Sequence, residues 1–293
     1  MSVEPDPHNT YSAAPHANLG AAPLLDSRHV QTRLGRIRIR VGGEGPALLF
    51  WPSLLMDGSM WLAQAAYFMS RYRVVLVDPP GHGDSDPLER PFTLAECADC
   101  VTQILDELKI ERVHFIGNSW GGMLGGTFAA HYPERIGSAV LMNATASPAG
   151  IRQKVEFLAL IQIVRIAGKV PGPLVKRAIR AFLGPTSEQD RPQVADAIRE
   201  SIKHLNARSA CWAIYSVVPA RPDQRKLFQR IRTPVLVIAG AEDRTFPVAE
   251  TEAMAAAIPG AEFIVMPATA HLAGLECPQE VNAIIEEYLQ RRQ

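Results

Sequence analysis

The sequence predicts an α/β protein with a mostly parallel, eight-stranded sheet flanked by helices and an all-helical insertion after the sixth strand. Three observations carry the prediction. Short apolar stretches alternate with helical patterns, which implies parallel βαβ units. Most of the strands are apolar at nearly every position, as a sheet covered on both faces requires. From Ala146 to Arg221 the alternation stops and only helical patterns remain.

Residues 1–28 are rich in Pro, Ala, His and Asn. They have neither a basic start nor an apolar run, so they read as a flexible tail and not as a signal peptide. Val30 to Leu34 and Ile37 to Val41 read as two strands joined around Gly35. Arg36, Arg38 and Arg40 alternate, so they share one strand face and read as a solvated outer surface. Ala47 to Trp51 is a short buried strand, followed by a helix near Ser59 to Ser70 and a strand at Arg73 to Val77. Thr93 caps the next helix, to Lys109, and Glu96 completes a capping box. Arg112 to Ile116 is the fifth strand, Met123 to His131 its helix, and Ser138 to Met142 the sixth strand. After the insertion come a strand at Pro234 to Ala239, a helix at Val248 to Ile258, a strand at Glu262 to Met266 and a closing helix at Pro278 to Arg291. The expected organisation is a tail at 1–28, a core at 29–145 and 222–293, and a helical cap at 146–221.

Hydrophobic residues make up 47% and charged residues 20% of the 293, which suits a globular enzyme with a sizeable core. Thirty basic side chains balance thirty acidic ones, which argues against nucleic acid as a partner. Val155 to Ile166 is among the longest apolar stretches, but polar residues interrupt it and it is too short to span a bilayer. Cys97 and Cys100 form a Cys-x-x-Cys inside a helical pattern, with no second pair and no histidine at metal spacing. With Cys211 and Cys277 they predict no disulfide and no zinc, in keeping with a reducing cytoplasm.

The chemistry centres on Gly117-Asn118-Ser119-Trp120-Gly121-Gly122, which falls between a buried strand and a helix. A serine at such a sharp turn is lifted out of the sheet, and the flanking glycines leave room for the turn. A serine hydroxyl needs a base to attack a carbonyl, and a histidine suits because its pKa lies near neutrality. Of the eight histidines, only His82 and His271 sit on loops at strand C-terminal ends. His271, after the last strand, fits the base. Asp243 follows the seventh strand and fits the acid that orients the imidazole, with Glu242 as the fallback. The equivalent place after the sixth strand holds Asn143, which cannot carry the charge. An oxyanion needs preorganised N–H donors. Trp120 N–H is one, and Ser53 or Leu54, after the third strand, supplies the other.

Together these residues resemble the α/β-hydrolase superfamily, from about Val30 to the C-terminus. Val77-Asp78-Pro79-Pro80-Gly81-His82-Gly83-Asp84-Ser85 is similar to the family's Asp-x-x-Gly-x-Gly-x-Ser loop. Pro234 to Asp243 resembles its acid strand, and His271-Leu272 with Glu276-x-Pro278 its histidine loop. The resemblance implies the α/β-hydrolase fold, with Ser119 as nucleophile, Asp243 as acid and His271 as base. Pro52-Ser53 stands where the family has His-Gly, which puts the second oxyanion amide at Leu54. Ser53-Leu54 with Asp57-Gly58-Ser59-Met60-Trp61 resembles 3-oxoadipate enol-lactonases. Ser119-Trp120-Gly121 is similar to prolyl aminopeptidases, and Gly117-Asn118-Ser119 to carbon–carbon bond hydrolases. Serine at the elbow disfavours the dehalogenases and epoxide hydrolases, which use aspartate there.

The expected function is hydrolysis of a small ester or lactone through an acyl-enzyme, with no metal or organic cofactor and no nucleic-acid partner. The oligomeric state stays open, a homodimer among the options. Ser53, Phe157, Ile161 and Trp212 are the candidate substrate-binding residues, with Leu158 and Phe182 beside them. An aminopeptidase would need a cap carboxylate, and Glu156, Glu188 and Glu200 read as solvated. A ligand-binding receptor on the same fold is the reading outside the enzymes.

Overall fold

The computed structural model describes residues 24–292. The chain opens with a hairpin of β1 (Asp26–Thr32) and β2 (Gly35–Gly42), closed by a two-residue turn at Arg33 and Leu34. The strand begins earlier than the sequence predicts, and Leu34 lies in the turn. Asp26 to His29 are exposed on the outermost strand, so they lack the apolar signature of a buried one. Of the expected tail, 26–28 belong to this strand and 1–23 lie outside the described residues.

The wound part follows: β3 (Ala47–Trp51), α1 (Leu62–Phe68), β4 (Arg73–Val77), α2 (Leu94–Glu107), β5 (Val113–Asn118), α3 (Trp120–His131) and β6 (Ile136–Met142). Thr93 caps α2, and the capping box with Glu96 is complete in both directions. Between β6 and the next strand come α4 (Ile151–Ala167), α5 (Gly172–Phe182), α6 (Pro185–Asp190), α7 (Pro192–Lys203), α8 (Ala207–Val217) and α9 (Arg225–Phe228). The chain then completes the sheet with β7 (Val235–Gly240), α10 (Val248–Ala256), β8 (Glu262–Met266), α11 (Ala273–Glu276) and α12 (Pro278–Gln290).

The eight strands form one sheet in the order β1-β2-β4-β3-β5-β6-β7-β8. Strand β2 is antiparallel to both of its neighbours, and all other pairs are parallel. Alternate residues of each strand feed opposite faces. Leu49 and Trp51 pack with α2 and α3, while Leu48 and Phe50 pack with α1 and α12. Both faces are therefore dry, which is why the strands show no polar alternation. In register, Trp51 lies beside Gly117, Asn118 beside Met142, and Met142 beside Ile238. The C-terminal ends of β3, β5, β6 and β7 thus come together at one edge, where an open α/β sheet keeps its site.

Candidate active site

Ser119 sits between β5 and α3 at φ 55°, ψ −108°, a conformation that costs on the order of 1–3 kcal/mol in a non-glycine residue. Packing enforces it. A Cβ on Gly117 would lie 2.2 Å from the Gly121 carbonyl oxygen, and one on Gly121 would lie 2.2 Å from that of Trp51. The two glycines let α3 start directly over the ends of β3 and β5, which leaves Ser119 at the tip of the turn and in the wall of a pocket.

His271 follows β8 and lines the same pocket. Its Nδ1 lies 2.8 Å from Asp243 Oδ2, and both side chains are fully buried. The second carboxylate oxygen of Asp243 accepts the Thr245 and Phe246 N–H groups. Glu242 turns the other way and accepts from the backbone and hydroxyl of Thr186. Of the two candidate acids, geometry joins only Asp243 to the histidine. A carboxylate accepts hydrogen bonds only, so Nδ1 carries the proton. His271 Nε2 makes no hydrogen bond. It is the free base of the ring, in a pocket it shares with Ser119.

The histidine loop is clamped from several sides. Phe182 stacks on the imidazole at 5.1 Å, and its carbonyl accepts the His271 N–H. Glu276 accepts the Ala270 and Leu272 N–H groups on either side, and burial holds its pKa above the usual carboxylate range. Asn143 donates to the Ala270 and His271 carbonyls at 3.0 Å each and accepts Gly240 N–H at 2.7 Å. Asn118 donates to the His271 carbonyl and to Ser53 Oγ. Asn143 was legible only as an acid that is missing. The structure gives it the task of tying β7 to the histidine loop, at a φ of 48° that asparagine tolerates.

The N–H groups of Leu54 and Trp120 have no acceptor among the described residues. The loop that carries Leu54 is fixed by its neighbour. Leu55, at φ 69°, donates its N–H to His82 Nε2 at 3.1 Å, and His82 Nδ1 donates to the Pro80 carbonyl. This tautomer requires a neutral ring, and burial lowers the His82 pKa to about 4. Asp78, itself buried, accepts from Gly58 and Asp84 N–H and pairs with Arg38 and Arg40. Those arginines are half-buried and anchor the Asp78–Ser85 loop; they are not the solvated face expected. Their alternation along β2 gave no hint of this, because Asp78 comes from the end of another strand, β4.

The pocket has about 1060 Å³ of free space out to its mouth, and its walls are mostly apolar. Phe157, Leu160 and Val164 of α4, Leu174 and Phe182 of α5, and Ile214 of α8 contribute. Three candidate substrate-binding residues fall elsewhere. Ile161 lies at the edge of the face that carries Phe157 and Val164 and packs on Cys211 of α8 instead of lining the pocket. Trp212 points away from the pocket under the Arg165 guanidinium. Ser53 is buried against Asn118. Leu158 faces outward and is 41% exposed. The side chain of Trp120 stacks on Phe92 in the core, so only its backbone reaches the site. Glu156, Glu188 and Glu200 pair with Arg177, Arg244 and Lys203, and none of the three carboxylates lines the pocket, although Arg177 does. All four cysteines are buried and unpaired, and among the described residues no group of His, Cys, Asp or Glu is placed to hold a metal.

A doubly wound sheet with a strained serine between β5 and α3 defines a class of proteins, and comparison agrees with it. The model of the family described by the α/β-hydrolase fold matches residues 46–278, and the chain belongs to that family. It is a hydrolase. It is 32% identical to 3-oxoadipate enol-lactonase 2 of Acinetobacter baylyi over 85% of this chain and 90% of that one. It is 28% identical to a 2-hydroxy-6-oxononadienedioate/2-hydroxy-6-oxononatrienedioate hydrolase of Paraburkholderia phymatum, over 84% of each. Among solved structures, a thermophilic esterase from Thermogutta terrifontis superposes with a TM-score of 0.84 at 26% identity, covering 91% of this chain and 98% of that one. The enol-lactonase of Burkholderia xenovorans superposes with a TM-score of 0.82 at 25% identity, covering 90% and 100%. No helix among the described residues is long and apolar enough to cross a membrane.

Proposed function

We propose that this protein cleaves a small carboxylic ester or lactone through an acyl-enzyme, with Ser119 as nucleophile, His271 as base and Asp243 as acid. One observation carries the reading: Asp243 holds His271 by Nδ1 and leaves Nε2 without a partner in the pocket that Ser119 lines. His271 takes the serine proton as Ser119 attacks the carbonyl. The unpartnered N–H groups of Leu54 and Trp120 receive the oxyanion. His271 then protonates the leaving group and activates the water that releases the acid, while Asp243 stays ionised. The residues between β6 and β7 act as a cap that shapes the acyl pocket. The enol-lactonase names among the relatives support a lactone or ester.

Carbon–carbon bond cleavage is favoured less. The side chain of Asn118, which suggests it, is turned to the histidine loop and not to the pocket. An aminopeptidase would need a carboxylate in the pocket wall to hold a substrate ammonium, and none of the described lining residues is one. The four unpaired thiols support a reducing compartment such as the cytoplasm.

The pocket also supports a preference for an acyl group that ends in an anion. Arg221, at the end of the helical segment, lines the pocket and is 5% exposed. Its Nε donates to the Ser147 carbonyl and one terminal nitrogen to Gln153, but among the described residues it has no ion-pair partner. Its guanidinium lies over Phe246, and that ring contacts His271. Burial lowers its pKa to about 10, with Glu250 offsetting part of the effect, so it stays charged near neutrality. An unmatched cation in an apolar wall favours a carboxylate.

A fluorophosphonate probe tests the central claim. The folded protein should be labelled on Ser119, and Ser119→Ala should not be labelled. An intact protein that takes no label would favour a receptor with vestigial chemistry.

A further inference from the structure

Helix α4 is apolar on two faces, and only one of them is covered. Phe157, Leu160 and Val164 point into the pocket. On the opposite side Ile151 is 84% exposed, Val155 63%, Leu158 41%, Ile163 47% and Ile166 87%. These five are the majority of the nine large apolar side chains that stand exposed among the described residues. At 100° per residue, Ile151, Val155, Leu158 and Ile166 form one stripe, with Ile163 at its edge. A helix that is apolar all round is normally buried, and a contiguous exposed patch of this kind marks a docking surface. Yet α4, at 17 residues, is not a membrane span.

Charge selects the occupant. The chain as a whole is neutral, but residues 151–182 carry seven Lys or Arg against the single Glu156. Glu156 is taken up by Arg177. Arg152 and Lys154 border the apolar stripe on α4, with Arg165 over the Trp212 ring beside it; Lys169 follows α4, and Lys176 and Arg180 lie on α5; among the described residues none of the six has an ion-pair partner. Two copies meeting through this face would bring like charges together. An anionic bilayer surface answers both features: the apolar stripe enters the headgroup boundary and the cations meet the lipid phosphates.

We infer that the outer face of α4 docks reversibly on anionic membrane surfaces. The helix lies in the interface and does not cross it. Because the inner face of the same helix lines the pocket, docking brings the pocket wall to the surface where amphiphilic esters collect. The docking stands whether or not the substrate is an ester, and it is read separately from catalysis.

The test is co-sedimentation with vesicles of phosphatidylcholine alone and of equal parts phosphatidylcholine and phosphatidylglycerol. The protein should partition at least about tenfold more strongly onto the anionic vesicles, and rising salt should release it. The double variant Val155→Asn/Ile166→Asn should lose about tenfold or more of that binding. It should retain its rate on a soluble aryl ester or its probe labelling, since neither residue lines the pocket. Arg152→Gln/Lys154→Gln should lose the preference for anionic vesicles. Three results would overturn the inference: no binding to anionic vesicles at low salt, binding that the apolar variant leaves unchanged, or a concentration-dependent dimer in sedimentation velocity that Val155→Asn/Ile166→Asn dissolves. The last would make a second copy the occupant.

Discussion

Asp243 and Glu242 are adjacent carboxylates that local sequence cannot rank, and their side chains separate them. Asp243 fixes the His271 tautomer, whereas Glu242 fastens the start of α6 through Thr186. Asp243→Asn should therefore lower kcat on an aryl ester by about 10⁴-fold, and Glu242→Gln by less than about tenfold. Steady-state kinetics on the two variants checks the contrast. His82 makes a different kind of prediction. Its folded pKa of about 4 lies below the ordinary histidine value near 6.5. Between those pH values the unfolded chain holds a proton that the folded chain does not, so stability rises with pH there. The contribution is complete above about pH 6.5 and lost as pH falls toward about 4, and it amounts to at most about 3 kcal/mol. His82→Gln keeps a donor and an acceptor, so its urea-unfolding free energy should fall less steeply over that interval than the wild type's.

At the level of elements, the turns between strands and helices decide the site. The elbow was legible because its glycines, its serine and the change from strand to helix lie within six consecutive residues. The capping box of α2 was legible for the same reason. The clamp on the histidine loop was not. Asn143 follows β6, its partners follow β7 and β8, and no spacing relates them. Asn143→Ala would leave Gly240 N–H buried without an acceptor, free two carbonyls of the histidine loop and put alanine at positive φ. A loss of about 3 kcal/mol in stability is expected, together with a lower kcat. Unfolding midpoints and single-turnover rates would separate the two effects. The faces of α4 show the same limit. Its composition announces an apolar helix, but only packing reveals that Phe157 faces the pocket while Ile161 faces α8.

The pocket belongs to the molecule as a whole, since the sheet supplies Ser119 and His271 and the helical segment supplies the walls. Arg221 enters it from the chain's return to the core. Arg221→Met should lower kcat/KM for an aryl ester of a dicarboxylic acid with one free carboxylate by about 10–100-fold. The neutral ester of equal length should change by less than about threefold. Equal losses on both esters would mean that Arg221 only fastens the Ser147 loop.

The sequence by itself determined the alternation of strands and helices, the eight-stranded sheet, the helical insertion and the order in which Ser119, Asp243 and His271 appear. These follow from local rules: apolar periodicity, turn chemistry and the close approach that glycine permits. Only the tertiary structure decided which of two acids meets His271, that Arg38 and Arg40 hold Asp78, which side of α4 lines the pocket, and that an unpaired guanidinium enters it. Each of these depends on side chains tens to hundreds of residues apart brought together by sheet register and helix phase, and a buried polar group takes its role from the partner it finds there.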